Sequence, residues 1–183
     1  MNNPSVFSKI KVICGDITKE DVDAIVNAAN NHLMGGGGVD GAIHRAAGPK
    51  LLDECHTLGG CKTGDAKVTK GYNLKAGWII HTVGPVWYGG KNKEEELLIS
   101  AYRRSLEEAV KLGAKTVAFP AISTGIYGYP LEKASATAIE TVYVFLREHS
   151  QIEEVRLICF SKTSEEIHRH ILQKIMNGEK QVN

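Results

Sequence analysis

Helical and strand-like segments alternate along this 183-residue chain, and the alternation narrows its fold more than any other feature. Residues 94–112 place Leu97, Leu98, Ala101, Leu106, Ala109 and Val110 on one face of a helix that stops at Gly113. Residues 116–119 form a short apolar strand, 131–149 a second helix, 155–160 another strand and 164–176 a last helix. Upstream, K-I-K-V-I-C at 9–14 and the apolar run at 24–28 read as strands, as do 66–71 and 78–83. Short helices at 40–47 and 50–58 are divided by Gly48-Pro49. Parallel strands need long crossovers, so this order predicts a three-layer α/β/α sandwich with helices on both faces of a mostly parallel sheet. Ligands of such sheets lie beyond the carboxyl ends of strands. Asp16, Asn30, a run of glycines, Ser123 and Phe160 all fall there.

The run is L-M-G-G-G-G-V-D-G-A-I-H at 33–44. Four residues without Cβ let backbone N–H groups come close to an anion. Asp40, the first polar side chain after them, sits near a helix N-terminus, where unpaired amides and the macrodipole favour negative charge. Glycine runs are also common as flexible linkers. The flanks argue against that here, because an apolar strand ending in N-A-A-N precedes the run and a small-residue helix follows it. The chain has neither a Walker G-x-x-x-x-G-K-[ST] nor a true G-x-G-x-x-G, which disfavours an NTPase and a standard dinucleotide-binding oxidoreductase. A second loop, P-A-I-S-T-G-I-Y-G-Y-P at 120–130, offers the Ser123 and Thr124 hydroxyls and several amides to phosphate oxygens. Two such loops in one domain point to a diphosphate held between them.

A net charge of +1 gives no general attraction to polyanions, so nucleic acid is not expected as the main partner. No apolar stretch approaches the length of a membrane span, and residues 1–5 carry no signal-peptide pattern, so a cytoplasmic protein is expected. The length fits one domain over 1–183, with its core at about 9–176 and a polar, frayed tail at 177–183. Cys14 and Cys159 lie in apolar runs and read as buried. Cys55, His56 and Cys61 have no C-x-x-C and no fourth ligand at a recognisable spacing, so no metal site is expected.

Together, G-D-I-T at 15–18, N-A-A-N at 27–30, G-G-G-G-V-D-G-A-I-H at 35–44 and S-T-G-I-Y-G-Y-P at 123–130 resemble the macrodomains, specifically the MacroD type. The likeness runs from about residue 9 to 175. It implies a mixed central sheet, ADP-ribose as ligand, and either removal of mono-ADP-ribose from acidic side chains of proteins or deacetylation of O-acetyl-ADP-ribose. No cofactor is implied, and a monomer is expected. Asp16 matches the carboxylate that accepts from the adenine amino group, with the backbone of Ile17 beside it, and Phe160 matches the aromatic that packs on adenine. Read alone, Asp16 is a turn residue and Phe160 belongs to the core.

Gly38 and Val39 with Ser123, Thr124, Gly125 and Ile126 fall in the ligand-binding loops. Asn30 matches the amide that bonds the distal ribose, and Asn27 lies where it would brace that loop. Tyr127 matches the aromatic that covers the distal ribose and positions the scissile bond. Asp40 is the acidic side chain that the motifs place at that end, as general base or as orienter of the reacting water. The helix terminus would make it a weak base and favour the orienting role. His44 follows Asp40 by four positions and shares its helix face. A reader module that binds ADP-ribose without turnover is the alternative, and it would need the phosphate loops and Asp16 but not Asp40.

Overall fold

In this computed structural model, which describes residues 5–182, six strands form one sheet in the order β1-β6-β5-β2-β4-β3. The strands are β1 (Ile10–Cys14), β2 (Ala24–Ala28), β3 (Ala66–Lys70), β4 (Trp78–Thr82), β5 (Thr116–Phe119) and β6 (Glu154–Cys159). Every neighbouring pair is parallel except the β3–β4 hairpin at one edge, so the sheet is mixed and mostly parallel. Five helices join the strands: α1 (Gly38–Ala47), α2 (Lys50–Thr57), α3 (Glu94–Lys111), α4 (Leu131–Glu148) and α5 (Lys162–Val182). Residues 1–4, which bear on the expected absence of a leader, and residue 183 of the tail lie outside the described residues.

Alternate residues of each strand feed two cores, one on each face of the sheet. Ile10, Val12, Ala24, Val26, Val117, Phe119, Val155 and Leu157 face α3, α4 and α5 through Leu98, Tyr102, Leu106, Ile139, Val142 and Leu172. Ile25, Ile79, Ala118 and Ile158 face the other way, onto Ile43, Ala47, Leu51 and Cys55 of α1 and α2. Asn27 and His81 are paired in register between β2 and β4, two residues on from Ile25 and Ile79, so both point toward α1 and α2.

Three expectations need correction. Helix α1 begins at Gly38, two residues early, because Gly37 occupies the N-cap with an extended backbone and accepts from Gly41 N at 3.3 Å. Helix α5 runs over Lys162–Val182, longer than the expected 164–176. Apolar periodicity reports burial, not helicity, and it stops at Ile175, the last residue to pack on the core. Cys14 is half-buried while Cys159 is buried, because β1 is an edge strand.

Candidate functional site

The adjacent parallel strands β1, β6, β5 and β2 all end on one rim of the sheet, and each delivers a loop there. Cys14 pairs with Cys159, and Gly15 N donates to Cys159 O at 3.1 Å. Asp16 and Phe160 therefore leave the sheet side by side. Asp16 opens the 3-10 turn Ile17–Lys19, its Oδ1 accepting from Thr18 N at 3.0 Å and from Thr18 Oγ1 at 2.7 Å. The Thr18 hydroxyl holds the carboxyl below the usual carboxylate range. Buried Ile17 anchors the turn, while the Phe160 ring is 99% exposed and is no core residue.

At the end of β2, Asn30 shapes the glycine loop from both ends of its amide. Oδ1 accepts from Leu33 N at 3.1 Å and Nδ2 donates to Gly35 O at 2.9 Å. Leu33 is thereby held at φ 59°, a strained conformation for a side chain without a polar group. A Cβ on Gly36 would lie 3.2 Å from Asp40 Oδ2 and 3.5 Å from Asn30 Nδ2, so Gly36 is the bridge between those two side chains. A Cβ on Gly41 would overlap Gly36 O, which is why the first turn of α1 can lie directly under the loop. Among the described residues, the amides of 36–40 donate to no protein acceptor.

The second loop, between β5 and α4, closes on itself. Thr124 Oγ1 donates to Ala121 O at 2.8 Å, Gly128 N to Gly125 O at 3.0 Å and Tyr129 N to Ser123 O at 2.9 Å. The two expected hydroxyl donors differ in their surroundings. The Thr124 hydroxyl is spent inside the loop, and the Ser123 hydroxyl is buried without a partner, against Gly84, where any Cβ would overlap it. The amides of Gly125, Ile126 and Tyr127 remain unpaired among the described residues, and the Ile126 side chain is fully exposed. Trp87 N donates to Tyr127 O at 2.8 Å and fixes that residue from a neighbouring loop. Buried Glu94 holds the neighbouring loop in turn, accepting from Tyr88 N, Gly90 N and Asn92 N.

Asp40 is 5% exposed at the base of the glycine loop. Asn27 Nδ2 donates to its Oδ1 at 2.8 Å, and His44 Nε2 lies 3.4 Å from the same atom. Burial pushes its pKa up, against the opposing pull of Asn27 and His44. Burial thus acts against the weakening expected from the helix terminus. Behind Asn27 lies a residue that sequence reasoning missed. His81 Nδ1 is 3.0 Å from Asn27 Nδ2, and His81 Nε2 is 2.8 Å from Thr69 Oγ1. Residue 81 is 54 positions from residue 27, and only the strand register brings them together.

Burial lowers the pKa of His81 to about 3. Below about pH 6.5 the unfolded chain takes up a proton that the native imidazole refuses, so stability is lost as pH falls from 6.5 toward 3. The raised carboxyl of Asp40 acts in the opposite sense, gaining its proton first in the native state. His81 alone is expected to remove about 2 kcal/mol between pH 6.5 and 5. Urea denaturation at pH 7 and pH 5 checks this, and an unchanged midpoint would refute it.

Among the described residues, no group of three or more His, Cys, Asp or Glu side chains is placed to hold a metal ion, and no helix is long and apolar enough to cross a membrane. The unpaired amides of 36–40 and 125–127 lie in two loops of this rim, which also carries the exposed Phe160 and the buried carboxylate of Asp40.

Known proteins resemble this chain in sequence and fold. The family profile described as Macro domain matches residues 26–138. A Macro domain-containing protein of Methanosarcina mazei is 58% identical over 170 residues, covering 93% of this chain and 91% of its own length. The O-acetyl-ADP-ribose deacetylase of Salmonella typhimurium is 50% identical over 169 residues, covering 90% and 94%. The structure of the Oceanobacillus iheyensis macrodomain mutant G37V with ADPR superposes with a TM-score of 0.87 at 42% identity, over 91% of this chain and 92% of that one. With a profile match over more than half its length and relatives aligned nearly end to end, the chain belongs to the macrodomain family.

Proposed function

We propose that the chain is a hydrolase that binds ADP-ribose as a monomer and cleaves its esters, mono-ADP-ribosyl-Asp or -Glu on proteins and O-acetyl-ADP-ribose. The observation that carries this reading is the buried carboxylate of Asp40 directly beneath Gly36, in a loop whose amides are unpaired. The diphosphate lies between the amides of 36–40 and 125–127, where backbone donors and the α1 N-terminus neutralise its charge. Adenine packs on Phe160 and donates its amino group to Asp16. The distal ribose then reaches the other end of the rim, near Asn30, Asp40 and Tyr127. Asn30 keeps one N–H and one lone pair after its bonds to the loop, enough to fix one ribose hydroxyl.

Asp40 positions the reacting water and, with its pKa raised by burial, takes a proton from it more readily than an exposed carboxylate would. The names of relatives such as the Salmonella deacetylase support an ester substrate.

The decisive experiment incubates the pure protein with ADP-ribose linked through Glu, Arg and Ser and with O-acetyl-ADP-ribose. Turnover of the Glu-linked and acetyl esters alone is expected, unaffected by EDTA. Tight binding of every substrate without product release would make the chain a reader module. At the adenine end, Asp16→Ala is expected to weaken ADP-ribose binding by about 1.5–3 kcal/mol, the scale of a hydrogen bond to a charged group. Calorimetry checks it, and unchanged affinity would leave Asp16 only its turn-forming bonds to Thr18.

A further inference from the structure

With Asp40 ionised, the side chains behind it admit one consistent set of protons. Asn27 Nδ2 lies 2.8 Å from Asp40 Oδ1 and 3.0 Å from His81 Nδ1, and it has two N–H groups, one for each. Neither acceptor atom then carries a proton. The proton of the neutral His81 ring sits on Nε2 and is donated to Thr69 Oγ1 at 2.8 Å. Asn27 Oδ1 is buried with no partner among the described residues, a cost that is tolerated only because the other end of the amide is held so firmly. The opposite amide orientation would set Oδ1 against the Asp40 carboxylate, acceptor to acceptor.

We infer that His81 is a positioning residue for ester cleavage: its unprotonated Nδ1, backed by Thr69, locks Asn27 in the orientation that donates to Asp40. The inference rests on the reading of Asp40 as the group that handles the reacting water. Without the Nδ1 acceptor the Asn27 amide turns, Asp40 loses its donor for part of the time, and its carboxyl titrates higher. The groups facing this chain are few. Asp40 is faced by His44 on its own helix α1 and by Cys55 from α2. His81 is faced by Cys55 Sγ at 4.0 Å, by the His44 ring at 6.4 Å and by Thr69 from β3. Glu54 lies behind Cys55, whose thiol burial pushes up to about 11 and so keeps neutral. His44, Cys55 and Glu54 are common to all the variants below, so their effects on Asp40 cancel in the comparison.

Nitrogen NMR of the histidine-labelled wild type comes first. His81 is expected to show a bare Nδ1 and a protonated Nε2 from pH 8 to pH 5, and a proton on Nδ1 would overturn the inference. Kinetics with O-acetyl-ADP-ribose come second. His81→Phe is expected to move the acid limb of kcat up by about one pH unit, so that rates below the limb fall about tenfold, while the Kd for ADP-ribose stays within about twofold.

His81→Asn sets an amide oxygen near the position of Nδ1 and is expected to bring the limb back. A limb that stays put in His81→Phe, or an asparagine variant no better than phenylalanine, counts against the lock, because loose packing alone lowers rates without moving a limb. If His81→Phe does not fold, Thr69→Val removes the Nε2 acceptor at nearly constant shape. It is expected to shift the limb upward by less, and no shift overturns the inference. Full turnover by Asp40→Ala would instead sink the functional reading. An inactive Asp40→Ala beside an unmoved limb sinks only the role of His81.

Discussion

Gly125→Glu is expected to abolish ADP-ribose binding in a protein that still folds. A Cβ at Gly125 meets nothing within 4 Å, and its backbone is not among the positive-φ glycines, so the new side chain enters without strain. Its carboxylate arrives beside the unpaired amides of residues 125–127, where the diphosphate is to lie. Two like charges about 4 Å apart repel by about 4 kcal/mol at an effective dielectric of 20, roughly a thousandfold in affinity. Calorimetry should detect no binding while the melting temperature stays within about 2 °C of the wild type. Retained affinity in a thermally normal variant would remove this loop from the phosphate site. Gly128→Glu is no substitute for this test, because φ +69° at Gly128 would add backbone strain to the charge.

Asp40→Ala is expected to lower kcat for a Glu-linked ADP-ribosyl substrate by roughly a hundredfold or more. The Kd for ADP-ribose should change far less, since the carboxylate lies beneath the glycine loop and the proposed diphosphate contacts are backbone amides. The buried Asn27 Nδ2 loses its acceptor, a cost of about 1–3 kcal/mol that is partly offset. A carboxyl whose burial raises its pKa is held charged at a cost to the fold, and alanine removes that cost. Single-turnover cleavage measures the effect, and a near-normal rate would end the role assigned to Asp40. Asn30→Ala should impair binding and turnover together, because its amide shapes the loop through Leu33 and Gly35.

Local patterns carried the fold well. The strands at 24–28 and 116–119 lie on mostly apolar segments, because a strand covered on both faces buries nearly all its side chains. Helix α1 was harder, since Gly38 and Val39 are poor helix formers and become helical only by packing under their own loop. In the site, the glycine run and the second loop were legible as sources of free backbone amides, observed at 36–40 and 125–127, because glycine spacing is local. Which hydroxyls remain free was not. Ser123 turns inward against Gly84, and nothing at 123 announces a residue at 84. The clearest omission was the pair Thr69 and His81, which read as strand residues. Their partnership with Asn27 exists only once β3, β4 and β2 are aligned.

That alignment also sets when the protein can begin to work. Strand β1 leaves the ribosome first, yet Ile10 pairs with Val155 and Cys14 with Cys159, so β1 has no neighbour in the sheet until β6 has been synthesised. Asp16 and Phe160 become neighbours at the same moment. A nascent chain halted before β6 would hold the glycine loop and the 120–130 loop without Phe160 beside Asp16. The Asp16–Phe160 end of the rim therefore forms only after β6 has been made, and until then the unpaired β1 edge is exposed to wrong partners.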